Sequence, residues 1–277
     1  MILDSETNFL YLSEHIKVKE NFFKNLYSIL TKMSIEYGLL SHTKDIWAVD
    51  YMPIQTKKDK FVRFRYEPDY LQNAKFISTQ TNNLSVCSKA GLNFIDSRIV
   101  LDGGNVIKGK GWVILTDKIF KENPQIKKNN LITELENLFK VRVIIIPKEP
   151  NDYTGHADGI LRYYSEDAVL INNYRLDDKT AFQKKLFSSL RDHRIEAIKI
   201  PFNPYNNLDQ DSANGFYINY LQMENFILLP TFNLKEDDLA YTQFSQLFQG
   251  QRIETINSLE ISNQGGVLNC ITWNIKK

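Results

Sequence analysis

The sequence predicts an α/β protein assembled from loose units of strand, strand, helix and strand. Three observations lead there. Segments of helical period and strand-like runs alternate along the chain. Several strands come in adjacent pairs, unlike the strict strand–helix alternation of a doubly wound sheet. Turn punctuation is strong at Gly103-Gly104, Asn203-Pro204 and Gly265-Gly266.

The clearest helix is "VKENFFKNLYSILTKM", in which Phe22, Phe23, Leu26, Ile29, Leu30 and Met33 recur at three- and four-residue steps. The runs "FVRFRY", "SRIVLD" and "GWVILT" follow as strands, rich in β-branched and aromatic residues. Next come a helix, "NNLITELENLFK", and the strands "VRVIIIP" and "AVLINNY". The helix "DKTAFQKKLFSSLRDH" leads to the strands "IEAIKIP", "GFYINYLQ" and "NFILLP". A last helix, "EDDLAYTQFSQLF", precedes a last strand, "VLNCITW". Four or five units can be counted, without an exact sequence repeat. No low-complexity segment, charge block or Gly/Ser linker divides the chain, so residues 1–277 are expected to form a single domain.

Composition excludes several classes. Thirty-four Lys and Arg stand against thirty-three Asp and Glu, a balance that gives no reason to expect nucleic acid or an anionic membrane as partner. The N-terminus has no basic region before an apolar run and does not read as a secretory signal. The longest apolar run, "VRVIIIP", is strand-sized, far from the roughly 18–20 residues that span a bilayer. Two cysteines far apart, Cys87 and Cys270, make neither a disulfide framework nor a zinc spacing. A cytoplasmic protein is expected, with a homodimer as the default for an oligomer.

Four short segments carry polar groups in strand-to-loop settings. "DIWAVDYMPI" holds Asp50, "VLDGGNVI" holds Asp102, "TGHADGILRY" holds His156 and Asp158, and "VLNCIT" holds Cys270. In extended backbone His156 and Asp158 would point to one face, with Gly155 and Gly159 allowing close approach. Each group has a plain alternative. Cys270 alone reads as core packing, Asp50 as a turn cap before Pro53, and His156 and Asp158 as a solvated loop. Cys87 carries no catalytic neighbour in its motif.

Together they suit one task. Carboxylates bind a planar guanidinium fork to fork, a thiolate can attack its central carbon, and a histidine can move protons for leaving amine and incoming water. The same residue types would also serve a cysteine hydrolase of another substrate.

Five segments, taken in order, resemble those of the agmatine deiminase and bacterial peptidyl-arginine deiminase family, within the guanidino-group-modifying pentein superfamily. "WAVDYMP", "LDGGNV", "GHADGILRY", "NGFYINYLQMENFILLPTF" and "GGVLNCIT" carry the likeness, from about Trp47 to Lys277. The resemblance implies a five-bladed α/β propeller of ββαβ-type units around a central active site, with no metal or organic cofactor. It implies hydrolysis of a small-molecule guanidinium, or of peptidyl arginine, to a ureido group and ammonia. In agmatine's case that is a step toward putrescine.

By the same resemblance, Cys270 is the nucleophile that forms a thiouronium and His156 the proton shuttle. Asp50 and Asp158 clamp the guanidinium. Asp102 and Trp47 line the substrate, and Asn219 and Arg162 give structural support. Val49, Met52, Asp102 and Asn269 depart from the family pattern, which has Arg, Gly, Glu and His there. Amidino transfer and a non-catalytic binding pentein are the alternatives. Selectivity at the pocket mouth is expected among Arg63, Arg65, Tyr66, Tyr70 and Tyr205.

Overall fold

The computed structural model describes residues 1–175, 181–205, 207 and 212–277. Its strands fall into five three-stranded sheets. Each has a central strand with an antiparallel partner on one side and, on the other, a parallel partner reached through a helix. The parallel pairing needs that crossover, because a two-residue turn can only reverse the chain.

In the first sheet β1 (Phe9–Ser13) runs through α1 (Glu20–Lys32) to β2 (Glu36–Leu40). A single helical turn, α2 (Ala48–Tyr51), then leads to the second sheet. There β3 (Ile54–Lys57) and β4 (Lys60–Arg65) form a hairpin, and α3 (Asn83–Lys89) returns the chain to β5 (Phe94–Val100). The third sheet joins β6 (Ile107–Gly109) and β7 (Trp112–Thr116) through Gly111 at φ 83°, a turn position that favours glycine. Its crossover is α4 (Lys118–Glu122) and α5 (Lys128–Phe139), ending in β8 (Arg142–Ile146). The fourth sheet is β9 (Leu161–Ser165), β10 (Ala168–Asn172), α6 (Ala181–Asp192) and β11 (Glu196–Ile200). The fifth is β12 (Leu221–Met223), β13 (Phe226–Thr231), α7 (Glu236–Leu247) and β14 (Arg252–Asn257). After the short α8 (Leu259–Ser262), β15 (Thr272–Ile275) pairs antiparallel with β1, Phe9 opposite Ile275. The two ends of the chain thus complete one blade.

The predicted repeat of strand, strand, helix, strand is the unit that forms, five times. Helices bury one stripe each: Phe22, Leu26 and Leu30 on α1, Leu131, Leu135 and Phe139 on α5, Phe182, Leu186 and Leu190 on α6. Each such side chain contributes about 1.5–3 kcal/mol by leaving water. Every residue of β7 and β10 is buried, as befits central strands with a helix on one side and neighbouring blades on the other.

Three expectations are corrected. "GFYINYLQ" is strand only from Leu221, and "VLNCITW" only from Thr272, so Cys270 sits in a turn. His156 and Asp158 also lie in turn and loop backbone, not in a strand. The segment of Cys87 is a helix, α3, with the thiol fully buried. Residues 178–180 of the predicted fourth-sheet helix lie outside the described residues. Among the described residues no helix is long and apolar enough to cross a membrane.

Candidate active site

Each blade delivers a polar group from the segment entering its first strand. Cys270 precedes β15, Asp50 precedes β3, Asp102 precedes β6, His156 and Asp158 precede β9, and Asn219 precedes β12. Five entries from five blades therefore meet, although their sequence separations run to more than a hundred residues.

The Asp50 turn is set by Asp45, whose Oδ1 accepts the Trp47 N–H at 2.8 Å, and by the Val49 N–H, which donates to the Cys270 carbonyl at 3.3 Å. Asp50 Oδ1 accepts the Gly104 N–H at 3.1 Å and lies 3.5 Å from His156 Nδ1. Glycine is required there: a Cβ on Gly104 would lie 2.6 Å from both Asp50 Oδ1 and His156 Nδ1. On the other ring nitrogen, His156 Nε2 is 2.9 Å from Asp102 Oδ2. Asp102 is fully enclosed, and the same Oδ2 accepts from Lys118 Nζ at 2.9 Å. Lys118 also bonds Glu122 one turn along α4.

The thiol side is separate. Asp158 donates its N–H to the Gly104 carbonyl at 3.1 Å, and its Oδ2 accepts the Asn269 amide at 2.7 Å. Cys270 Sγ lies 3.8 Å from that same Oδ2. Asn219 holds the thiol twice. Its Nδ2 is 3.1 Å from Sγ, and its Oδ1 accepts the Cys270 N–H at 3.2 Å. A Cβ on Gly266 would be 3.1 Å from Sγ and 2.5 Å from Trp47 Cζ3, so the indole and the thiol flank that glycine.

Burial, reinforced or offset by neighbouring charges, governs the protonation states. Burial pushes Asp50 up to about 8; His156 opposes that, while Asp102 and Asp158 add to it. Burial also raises Asp158. Asp102 moves the other way, below the usual carboxylate range, because Lys118 and His156 outweigh its burial. For His156 burial alone would lower the value, but Asp50 and Asp102 lift it to about 10. The Cys270 thiol is held well above its ordinary range by burial and by Asp158 and Asp50. At neutral pH His156 is therefore a cation bonded to an ionised Asp102, Asp50 is largely protonated, and Cys270 is a thiol.

A profile of Porphyromonas-type peptidyl-arginine deiminases matches residues 5–275. The chain belongs to that family. The structure of an agmatine deiminase from C. jejuni superposes on this family member with a TM-score of 0.79 at 16% identity, covering 100% of this chain and 95% of the other. DDAH from Pseudomonas aeruginosa follows at a TM-score of 0.62 and 10% identity, covering 97% and 99%. These likenesses show the fold, a five-bladed pentein propeller. A Legionella pneumophila protein named "Putative agmatine deiminase" is 24% identical over 208 residues, 69% of this chain and 59% of its own length. A Mycoplasma mycoides protein of the same name is 27% identical over 221 residues, 68% of this chain and 60% of its own. The chain thus spans about three fifths of the curated relatives it matches.

In this family member the structure brings Asp50, Asp102, His156, Asp158, Cys270 and Trp47 to one place. Of the residues expected at the mouth, Tyr70 arrives, its ring edge-on to His156 with centroids 6.0 Å apart. Arg63 is instead buried in a structural set with Asn83 and Asp96, and Arg65 pairs with Glu67. Tyr66 is buried next to Tyr51, and Tyr205 carries the Arg175 guanidinium 3.7 Å from its ring centroid. Arg162 does serve structure, pairing with Asp4 at 2.8 Å and with the Tyr220 carbonyl. Asn219 does more than support, since it touches the thiol.

Lys118 and Glu122 escaped the sequence reading, because a Lys–Glu pair four residues apart looks like any solvated helix pair. Among the described residues no three His, Cys, Asp or Glu side chains are gathered as a metal ion would need.

Proposed function

We propose that the protein is a guanidine deiminase: it hydrolyses a guanidinium to a ureido group and ammonia through a covalent intermediate on Cys270. The observation that carries this is the half-buried Cys270 thiol 3.8 Å from the Asp158 carboxylate, beside an Asp50 that burial pushes up to about 8. Such a set is complementary to a planar cation with several N–H donors.

In this reading Asp50 and Asp158 each accept from guanidinium nitrogens, and ionised acceptors make each bond worth roughly 1.5–3 kcal/mol. The bound cation offsets the carboxylates that hold the Cys270 thiol protonated, so substrate lowers the cost of the thiolate it needs. Asn219 Nδ2 donates to the sulfur and favours the anion. The thiol proton passes to solvent, and Sγ attacks the guanidinium carbon as the thiolate. His156 passes its proton to a nitrogen, the C–N bond breaks and ammonia leaves, with the carbon held as a thiouronium. Neutral His156 takes a proton from water as the oxygen attacks. The C–S bond breaks as the remaining hydroxyl proton passes to solvent, the thiolate is restored and the ureido product departs.

Asn269 takes part by spending its amide on Asp158, which keeps that carboxylate turned toward the sulfur. Trp47 and Tyr70 supply flat walls to the guanidinium. We place the protein in the cytoplasm, where both free cysteines would remain reduced.

The test is ammonia release across agmatine, arginine, methylated arginines and arginine peptides, with the ureido product identified by mass. Turnover of at least one member is expected. Ammonia release from none would overturn the reading.

A further inference from the structure

The bond from Lys118 to Asp102, behind His156, has no part in the steps above. Lys118 is 3% exposed, an unusual place for an ammonium. Its Nζ and His156 Nε2 both lie 2.9 Å from the same oxygen, Asp102 Oδ2, so the two cations compete for one acceptor. Asp102 Oδ1, by contrast, is buried and has no partner. The remaining groups around the ammonium are Glu122 on its own helix, Asp69 at 3.8 Å, and the Tyr70 ring, whose centroid is 5.3 Å away. Lys121 sits on the far side of Asp69, and the Lys148 stem lies beside Gly155.

We infer that Lys118 is a positioning residue that weakens the hold of Asp102 on His156, so that the imidazole can give up its proton during the reaction. The role attached to His156 rests on the deiminase reading; the electrostatic coupling itself does not. An imidazolium held by two buried carboxylates is a poor acid, because its proton is too tightly bound at working pH. A second cation on the shared oxygen divides the carboxylate's charge and repels the imidazolium. Two cations bonded to one oxygen are within about 6 Å of each other, and at an effective dielectric near 20 that repulsion shifts a titration by on the order of two pH units. The direction agrees with the lowering effect of Lys118 on His156. Glu122, which bonds the ammonium, opposes it from behind.

The test is the titration of His156 by NMR in protein carrying labelled histidine, read from neutral pH to above 10 and assigned with His156→Asn. In Lys118→Met the His156 midpoint is expected to rise above that of the parent. In Lys118→Gln, which keeps a hydrogen bond to Asp102 without the charge, it should rise as well. Lys118→Arg should leave it near the parent value, and Glu122→Gln should move it down. A merely structural lysine would not give shifts of opposite sign. Should Lys118→Met fail to fold, Lys118→Gln decides. An unchanged or lowered midpoint in the folded variant overturns the proposal, whether or not the protein releases ammonia. If it does release ammonia, Lys118→Gln should lower kcat at least tenfold with KM nearly unchanged, and the alkaline limb of kcat should move to higher pH.

Discussion

Guanidinium binding to this site should expel a proton. Asp50 is 8% exposed and titrates near 8, so at neutral pH it is mostly the neutral acid. A guanidinium needs it as a carboxylate. Well below pH 8 each unit of acidity then costs a factor of ten in affinity, roughly 1.4 kcal/mol, and the loss between pH 8 and pH 6 is about fiftyfold. His156 stays charged across that range, since it titrates near 10, and adds nothing to the slope.

The assay is titration calorimetry of agmatine, or whichever compound the panel selects, into the Cys270→Ser variant, which lacks the proposed nucleophile. Buffers of different ionisation enthalpy report the protons released. About 0.9 proton per guanidinium is expected at pH 7, falling toward zero above pH 9. Asp50→Asn should bind weakly and with a flat pH profile. An affinity that is constant between pH 6 and pH 8, with no proton released, refutes the reasoning.

Four other outcomes follow from the same geometry. Cys270→Ala should fold like the parent and form no ureido product; full turnover by it removes Cys270 as nucleophile. Gly104→Ala places a methyl 2.6 Å from Asp50 Oδ1 and His156 Nδ1, both on buried side chains, so kcat should fall on the order of a hundredfold and the thermal midpoint should fall with it. A haloacetamidine, being a cation, should label Cys270 and spare Cys87, which is fully buried and pushed up to about 12; peptide mapping that finds Cys87 labelled first contradicts this.

The last outcome concerns stability. A raised Asp50 is protonated in the folded state, so its contribution is present below the unfolded value near 4 and is lost as pH rises through 8. Asp50→Asn should therefore melt above the parent at pH 8, with the gap closing toward pH 5. Equal melting at both pH values counts against the raised carboxyl.

How much of this could be read before folding depends on where each signal lives. The stripe of α1 was legible because Phe22, Leu26 and Leu30 face one core, and burying a helix face leaves a period in the sequence. Edge strands left no such trace. β14, "RIETIN", buries only Ile256, and β2, "EYGLL", buries only Leu40, so neither alternates. β1 is central, but one of its partners is β15, at the opposite end of the chain, and no local rule reaches that far. The apolar neighbours of Cys270 give its segment the look of a strand. Gly265, at φ 96°, helps turn the chain there, and Asn219 takes the Cys270 N–H that a strand would have paired.

The sequence by itself determined the α/β class, the repeated unit and the candidate polar groups that the blades bring together: Asp50, Asp102, His156, Asp158 and Cys270. Residue type is a local property, and so is periodicity. Only the tertiary structure decided which atoms meet. It put Asp102 and Asp50 on opposite nitrogens of His156, Asn219 on the sulfur and Lys118 on the buried side of Asp102. It also set the protonation states, because desolvation and charge crowding are sums over neighbours brought from five separate blades, and no stretch of sequence holds that sum.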